Sequence, residues 1–128
     1  MTTILLDTHA LIWWLEGGGS LSPGARRAIS DRDTTVLVSA ASAWEIAIKH
    51  QIGKFRVPDL IKDFRGRIES EGFVELPITI EHGVTAGTLP GAHKDPFDRV
   101  LIAQSRVEDV SIVTRDERFR EYAVQCIW

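Results

Sequence analysis

The fold class this sequence predicts is α/β, a parallel sheet with helices on both faces. Two observations lead there. Short apolar runs of strand length alternate with helix-length segments from one end to the other. In addition, 128 residues, 44% of them hydrophobic, are enough for one core and hardly for two, so a single domain over 1–128 is expected.

Each element follows from local chemistry. Ile4-Leu5-Leu6 is a continuous apolar run, as expected of a central strand covered on both faces. It ends at Asp7-Thr8, and a helix carries Ala10, Leu11, Trp13, Trp14 and Leu15 until Gly17-Gly18-Gly19 stops it. Ser22-Pro23, an N-cap followed by proline at the first helical position, opens a helix to about Ser30. Thr35-Val36-Leu37-Val38 is a β-branched strand, after which Ser39 caps a helix running to Gly53. Residues 54–57 form a loop, and Pro58 starts a more polar helix to about Glu71. Phe73 to Leu76 is the third strand, closed by Pro77. Thr79 caps a short helix through Ala86, and residues 87–94 form a loop. Asp95-Pro96 begins a nearly all-apolar helix, Val110 to Val113 is a buried strand, and a last short strand lies within 122–128.

The formal charge is −3, so no global basic field advertises nucleic-acid binding. Setting aside four carboxylates as a possible metal site leaves 15 basic residues against 14 acidic ones, a surface close to neutral. One cysteine, Cys126, excludes a disulfide framework and fits a reducing, cytoplasmic setting. No secretory leader or membrane span is expected, since the apolar run 10–15 is far short of the roughly 20 residues a bilayer requires.

The four carboxylates are Asp7, Glu45, Asp98 and Asp116. Asp7 follows a strand and precedes a helix, where N-capping alone would explain it. Asp98 is at the third position of its helix and Asp116 just past a strand, so helix-dipole and capping roles suffice for each singly. Asp95 is fully explained as a cap. Glu45 is harder to dismiss. Helical spacing sets it beside Ala41, Ile48 and Ile52, and an ion pair with Lys49 at i+4 suits a surface glutamate better than a buried one. Together the acids say more than each alone. In a parallel α/β sheet Asp7, Asp98 and Asp116 point to the rim above the carboxyl ends of the strands, and Glu45 comes from the helix after the second strand. Two carboxylates about 4 Å apart repel by roughly 4 kcal/mol at an effective dielectric near 20. Three or four therefore require protons or cations, and an all-oxygen set suits Mg²⁺ or Mn²⁺. Two such ions can clamp an in-line displacement at phosphorus.

Other constellations carry less. Gly17-Gly18-Gly19 lacks the residues of a phosphate loop, and His9, His50, His82 and His93 have no metal-ligand spacing and read as polar loop or helix residues. Ser39 and Ser42 lack a base motif, and the four tryptophans, although able to stack on bases, sit beside Leu and Ile as core residues do. Thr114 and Ser39 follow strands, where a hydroxyl serves a turn or a ligand water. Lys94, Arg99 and Arg115 flank the acids and are candidates to hold phosphates, with solubilising surface charge as the ordinary explanation of each.

Four blocks in order, LLDTHALIWWL (5–15), SAASAWEIAIKHQIGKF (39–55), LPGAHKDPFDRVLIAQS (89–105) and VTRDERFREY (113–122), resemble a PIN-domain subgroup, the VapC-type toxin ribonucleases. Phe55 stands where that subgroup usually has leucine after Gly-Lys, which touches nothing catalytic. The resemblance implies a PIN-like three-layer α/β/α fold with a mostly parallel five-stranded sheet. It carries the family's catalytic and metal-binding acids onto Asp7, Glu45, Asp98 and Asp116, with Thr114 at the hydroxyl position of the last block; Arg99, from its place beside Asp98, is the other expected supporting residue. It further implies a Mg²⁺- or Mn²⁺-dependent endoribonuclease acting on RNA, a homodimer, and a small cognate antitoxin of the VapB type. Two alternatives stand beside it: a receiver-like phosphoacceptor domain, which wants an acidic pair early and a lysine after position 94, and a PIN fold kept only as a binding module. A haloacid-dehalogenase-like phosphatase fails because His9 occupies the place of its second aspartate.

Overall fold

A computed structural model describes residues 2–91 and 94–128. Strands β1 (Thr2–Leu6), β2 (Thr34–Ser39), β3 (Val74–Leu76), β4 (Ser111–Val113) and β5 (Cys126–Ile127) form one sheet in the order β3-β2-β1-β4-β5. All its pairings are parallel. The connecting helices are α1 (Thr8–Leu15), α2 (Pro23–Ser30), α3 (Ala40–Gln51), α4 (Pro58–Lys62), α5 (Phe64–Ser70), α6 (Ile80–Thr88) and α7 (Pro96–Glu108), with a 3-10 helix at Glu117–Tyr122. His93, expected in a loop, lies outside the described residues. Among those residues no helix is long and apolar enough to cross a membrane.

The pleat of β1 divides the core in two. Ile4 and Leu6 join Val36, Val38 and Val113 in a cluster that includes Leu11 of α1, Ile29 of α2, Ile46 of α3 and Ile68 of α5. Leu5 points the other way, to Ile112, Leu101, Ile102 and Phe119. Parallel register keeps this alternation in step, because Leu5 pairs with both Leu37 and Ile112, and Leu6 with both Val38 and Val113. Each such side chain, fully buried, contributes about 1.5–3 kcal/mol, so the central strand is held from both faces.

The helix expected from Pro58 to about Glu71 is instead two helices. The chain breaks at Asp63 (φ −148°, ψ 68°), whose carboxylate accepts the Gly66 N–H at 3.1 Å and caps α5. Gly66 permits that closeness, since a Cβ there would fall 2.2 Å from an Asp63 carboxylate oxygen. The break lets Leu60 of α4 and Ile68 of α5 both reach the core. Helix α6 runs to Thr88, two residues beyond the expected end at Ala86.

The strand order places the site. From β1 the chain winds outward through β2 to β3, then crosses to β4 on the other side of β1 and on to β5. Connections leaving β1 and β4 thus diverge at their carboxyl ends, the crevice where open parallel sheets bind ligands. Asp7 follows β1 directly, and Thr114 to Asp116 follow β4 directly.

Candidate metal and catalytic site

Asp7 is the most firmly held of the acids. Its backbone N–H donates to the Val113 carbonyl (3.0 Å), and its carboxylate caps α1 by accepting the Ala10 N–H (2.7 Å). Burial raises its pKa, hydrogen bonds from the Thr114 hydroxyl and the Ala10 N–H and the His9 ring work against that rise, and the Asp116 charge adds to it. Thr114 serves two acids, because its buried hydroxyl also accepts the Asp116 N–H at 3.0 Å.

Glu45 is only 4% exposed, but not for the reason helical spacing suggested. Ile48 and Ile52 lie outward, 39% and 61% exposed, and the inward stripe of α3 is Ala41, Ser42, Glu45 and Ile46. Ser42 at the start of that stripe bonds Thr8 of α1 through their hydroxyls (3.0 Å), which draws the two helix N-termini together. The Lys49 ion pair is present, with Nζ 2.6 Å from Oε2. The other oxygen, Oε1, is buried with no hydrogen-bond partner.

Asp98 stands at N3 of α7, behind the Asp95 cap, whose carboxylate accepts the Phe97 and Asp98 N–H groups at 2.9 and 3.2 Å. Burial, then the charges of Asp95, Glu45, Asp7 and Asp116, push the Asp98 carboxyl up to about 7. Acids from β1, α3, α7 and the end of β4 therefore act on one another across the rim. Asp116 caps the 3-10 helix by accepting the Arg118 N–H (3.0 Å), and the Arg118 guanidinium grips it, with Nη2 2.7 Å from Oδ2.

Arg99 is turned to another task than holding phosphate. Its guanidinium donates to the Ala86 and Leu89 carbonyls at the end of α6, because neighbours on a helix point about 100° apart. Lys94 is exposed, and the Arg115 guanidinium lies over the Trp13 ring, 5.2 Å from its centroid. Arg115 and Trp13, with His9, Asp7 and Asp116, line a cavity of about 300 Å³ at the rim. The ring wall was not legible as a site, since Trp13 and His9 gave no signal beyond their i, i+4 spacing. A larger cavity, about 640 Å³, opens beside Ser105, Asp109, Ser111 and Gln125, at the far edge of the sheet from the acids.

The donor set fits a hard divalent cation in kind: oxygen ligands, a buried carboxylate oxygen without a partner, and acids whose charges raise one another's pKa. As the side chains stand, no group of three or more His, Cys, Asp or Glu among the described residues is positioned to hold a metal ion. Two of the acids are paired with cations of the chain itself, Glu45 with Lys49 and Asp116 with Arg118.

The PIN domain family model matches residues 4–125. Ribonuclease VapC22 of Mycobacterium tuberculosis is 30% identical over 123 residues, covering 95% of this chain and 93% of that protein. Among solved structures, VapBC2 from Rickettsia felis bound to a promoter DNA fragment superposes with a TM-score of 0.71 at 11% identity, covering 98% of this chain and 97% of that one. Mycobacterium tuberculosis VapC20, a sarcin-ricin loop cleaving toxin, superposes at 0.69 with 15% identity, covering 94% and 95%. VapBC-1 from nontypeable Haemophilus influenzae gives 0.70 at 16%, covering 98% and 96%. The last three likenesses speak for the fold. The match over nearly the whole length, joined to the sheet order above, makes this chain a member of the PIN domain family.

Proposed function

We propose that the chain is an endoribonuclease, the toxin of a VapBC-type toxin–antitoxin pair, dependent on a divalent cation of the Mg²⁺ or Mn²⁺ type. The observation that carries the reading is the convergence of acids on Asp98: after burial and the neighbouring Asp95, Glu45, Asp7 and Asp116, from three other elements, raise its pKa. Asp7, Glu45, Asp98 and Asp116 are the residues that would hold the ion. When bound, it supplies positive charge against the phosphorane oxygens and acidifies water beside it. The chain's own groups do the rest. Burial and the surrounding acids push the Asp98 carboxyl up to about 7, so a cation held there would favour its ionised form. The Thr114 hydroxyl and the Ala10 N–H orient the Asp7 carboxylate toward the rim. Arg115, exposed at the cavity, receives a neighbouring phosphate.

A small VapB-like antitoxin and a second copy of the chain are the partners this reading entails. Trp44, Ile48 and Ile52 of α3 and Ile80 and Val84 of α6, all exposed, offer apolar surface for such contacts. The receiver-like alternative falls with the family assignment. A silent binding module is excluded by one assay: the purified protein, stripped with EDTA, should cleave RNA only when Mg²⁺ or Mn²⁺ is restored, and Asp7→Asn should remove cleavage while keeping the native circular dichroism. Cleavage retained by pure Asp7→Asn refutes the assignment of the acids.

A further inference from the structure

Next to the acids, α1 presents a wall of rings that the chemistry at phosphorus does not use. His9 and Trp13, one turn apart, have ring centroids 5.5 Å apart and planes inclined at 41°. Phe55 meets His9 edge-on at 6.4 Å, and Trp128 meets Trp13 at 5.8 Å, so neighbours brace both rings from the side. Core packing accounts for part of Trp13, which packs against the cluster under α1. It does not account for His9, which is exposed, nor for the cavity both rings line together with Arg115, Asp7 and Asp116.

The rings of this cavity select its guest. With Asp7 and Asp116 given to the cation and Arg115 to a phosphate, the His9 and Trp13 rings remain, and a nucleobase is neutral and planar, with a face to lay on them. Its size, about 300 Å³, is at the lower end for small-ligand clefts and suits one planar group. A strand whose scissile phosphate lies at the acids brings its next base within one nucleotide of these rings. A base paired within a helix keeps its faces in the stack, and only an unpaired one can offer them.

We propose that the cavity lined by His9, Trp13 and Arg115 is a base subsite, in which the unpaired nucleobase adjoining the scissile phosphate stacks on the His9–Trp13 wall. The inference rests on the nuclease reading and adds to it the side chains that hold the base beside the cut.

The test is equilibrium binding of a mixed-sequence single-stranded RNA hexamer pool to the full chain made inert by Asp98→Asn, in Mg²⁺. Stacking of this kind is worth roughly a 5- to 100-fold change in affinity per base. His9→Ala and Trp13→Leu in that background should each weaken binding within that range, and Trp13→Phe should restore most of it. Pools with an abasic residue at each position in turn should reveal one position where the Trp13→Leu defect disappears. His9 is exposed, so its variant guards against loss of folding in the Trp13 variant. Binding by the parent with both variants unaffected, or defects equal on intact and abasic pools, overturns the subsite and leaves the nuclease reading standing. No binding by the parent, together with no metal-dependent cleavage by wild type, overturns both.

Discussion

Replacing Asp98 with asparagine should stabilise the metal-free protein, although asparagine removes a charge from the favourable end of a helix. The pKa of this carboxyl rises from 3.8 to about 7 on folding. At 1.36 kcal/mol per unit the rise corresponds to at most about 4 kcal/mol of destabilisation of the ionised form, and water at the partly exposed side chain screens this to about 1–2 kcal/mol. Against it stands the charge–dipole attraction at N3, about 0.3–1 kcal/mol. Burial and like charge together win, and Asp98→Asn should gain about 1 kcal/mol at pH 8, or about 3–5 °C in Tm for a domain of this size. The sign with pH follows from linkage. Between 3.8 and about 7 the folded state binds more protons than the unfolded, so the wild type loses stability as pH rises through that window. The advantage of the variant should therefore be full above pH 7, narrow as pH falls, and vanish near pH 4. Thermal unfolding by circular dichroism in EDTA at pH 8, 6 and 4 measures it. Excess Mg²⁺ should then raise the wild type and not the variant. A variant less stable than wild type at pH 8, or a difference independent of pH, refutes the claim that burial and like charge disfavour the ionised Asp98 carboxyl.

Two further perturbations probe the neighbourhood. His82 is fully buried, with Nδ1 accepting the Thr79 N–H at 3.0 Å and Nε2 2.8 Å from Glu108 Oε2; His82→Leu should cost about 2–4 kcal/mol in urea unfolding by leaving the cap and the glutamate unpaired. Arg118→Ala frees Asp116 from its guanidinium and should tighten Mn²⁺ binding roughly two- to five-fold by calorimetry, the range expected for an exposed pair.

How much of this was legible in the chain depends on the range of the forces involved. Caps at Ser22, Ser39, Thr79 and Asp95 are local, a side-chain oxygen meeting an N–H two or three residues on, and each appears where the sequence put it. The acids at the ends of β1 and β4 were legible because strand ends are visible as the last apolar residue. Glu45 was found by an argument only half right. Periodicity shows that α3 has an apolar stripe but not which stripe meets the protein, and the isoleucines turned out to be on the open side. The carbonyl contacts of Arg99 were not legible, because closeness in sequence says nothing of direction on a helix. His82 was missed because a histidine in the third helical position of a capping box looks like any polar residue until Gln104 and Glu108 of α7 close over it.

The arrangement also explains why the site remains strained rather than relaxing. β1 is the middle strand, packed through Leu5 to one core and through Ile4 and Leu6 to the other. Asp7 continues that strand and is tied to β4 through the Val113 carbonyl, so it cannot retreat without disturbing both layers. Of the four acids, Glu45 and Asp116 are paired with Lys49 and Arg118, while burial raises the pKa of Asp7 and Asp98. A cation held there would compete with Lys49 and Arg118 for the first pair and would offset the like charge around Asp98. Neutralising Asp7 or Asp98, whose carboxyls burial pushes up, should therefore move apo stability and cation affinity in opposite directions.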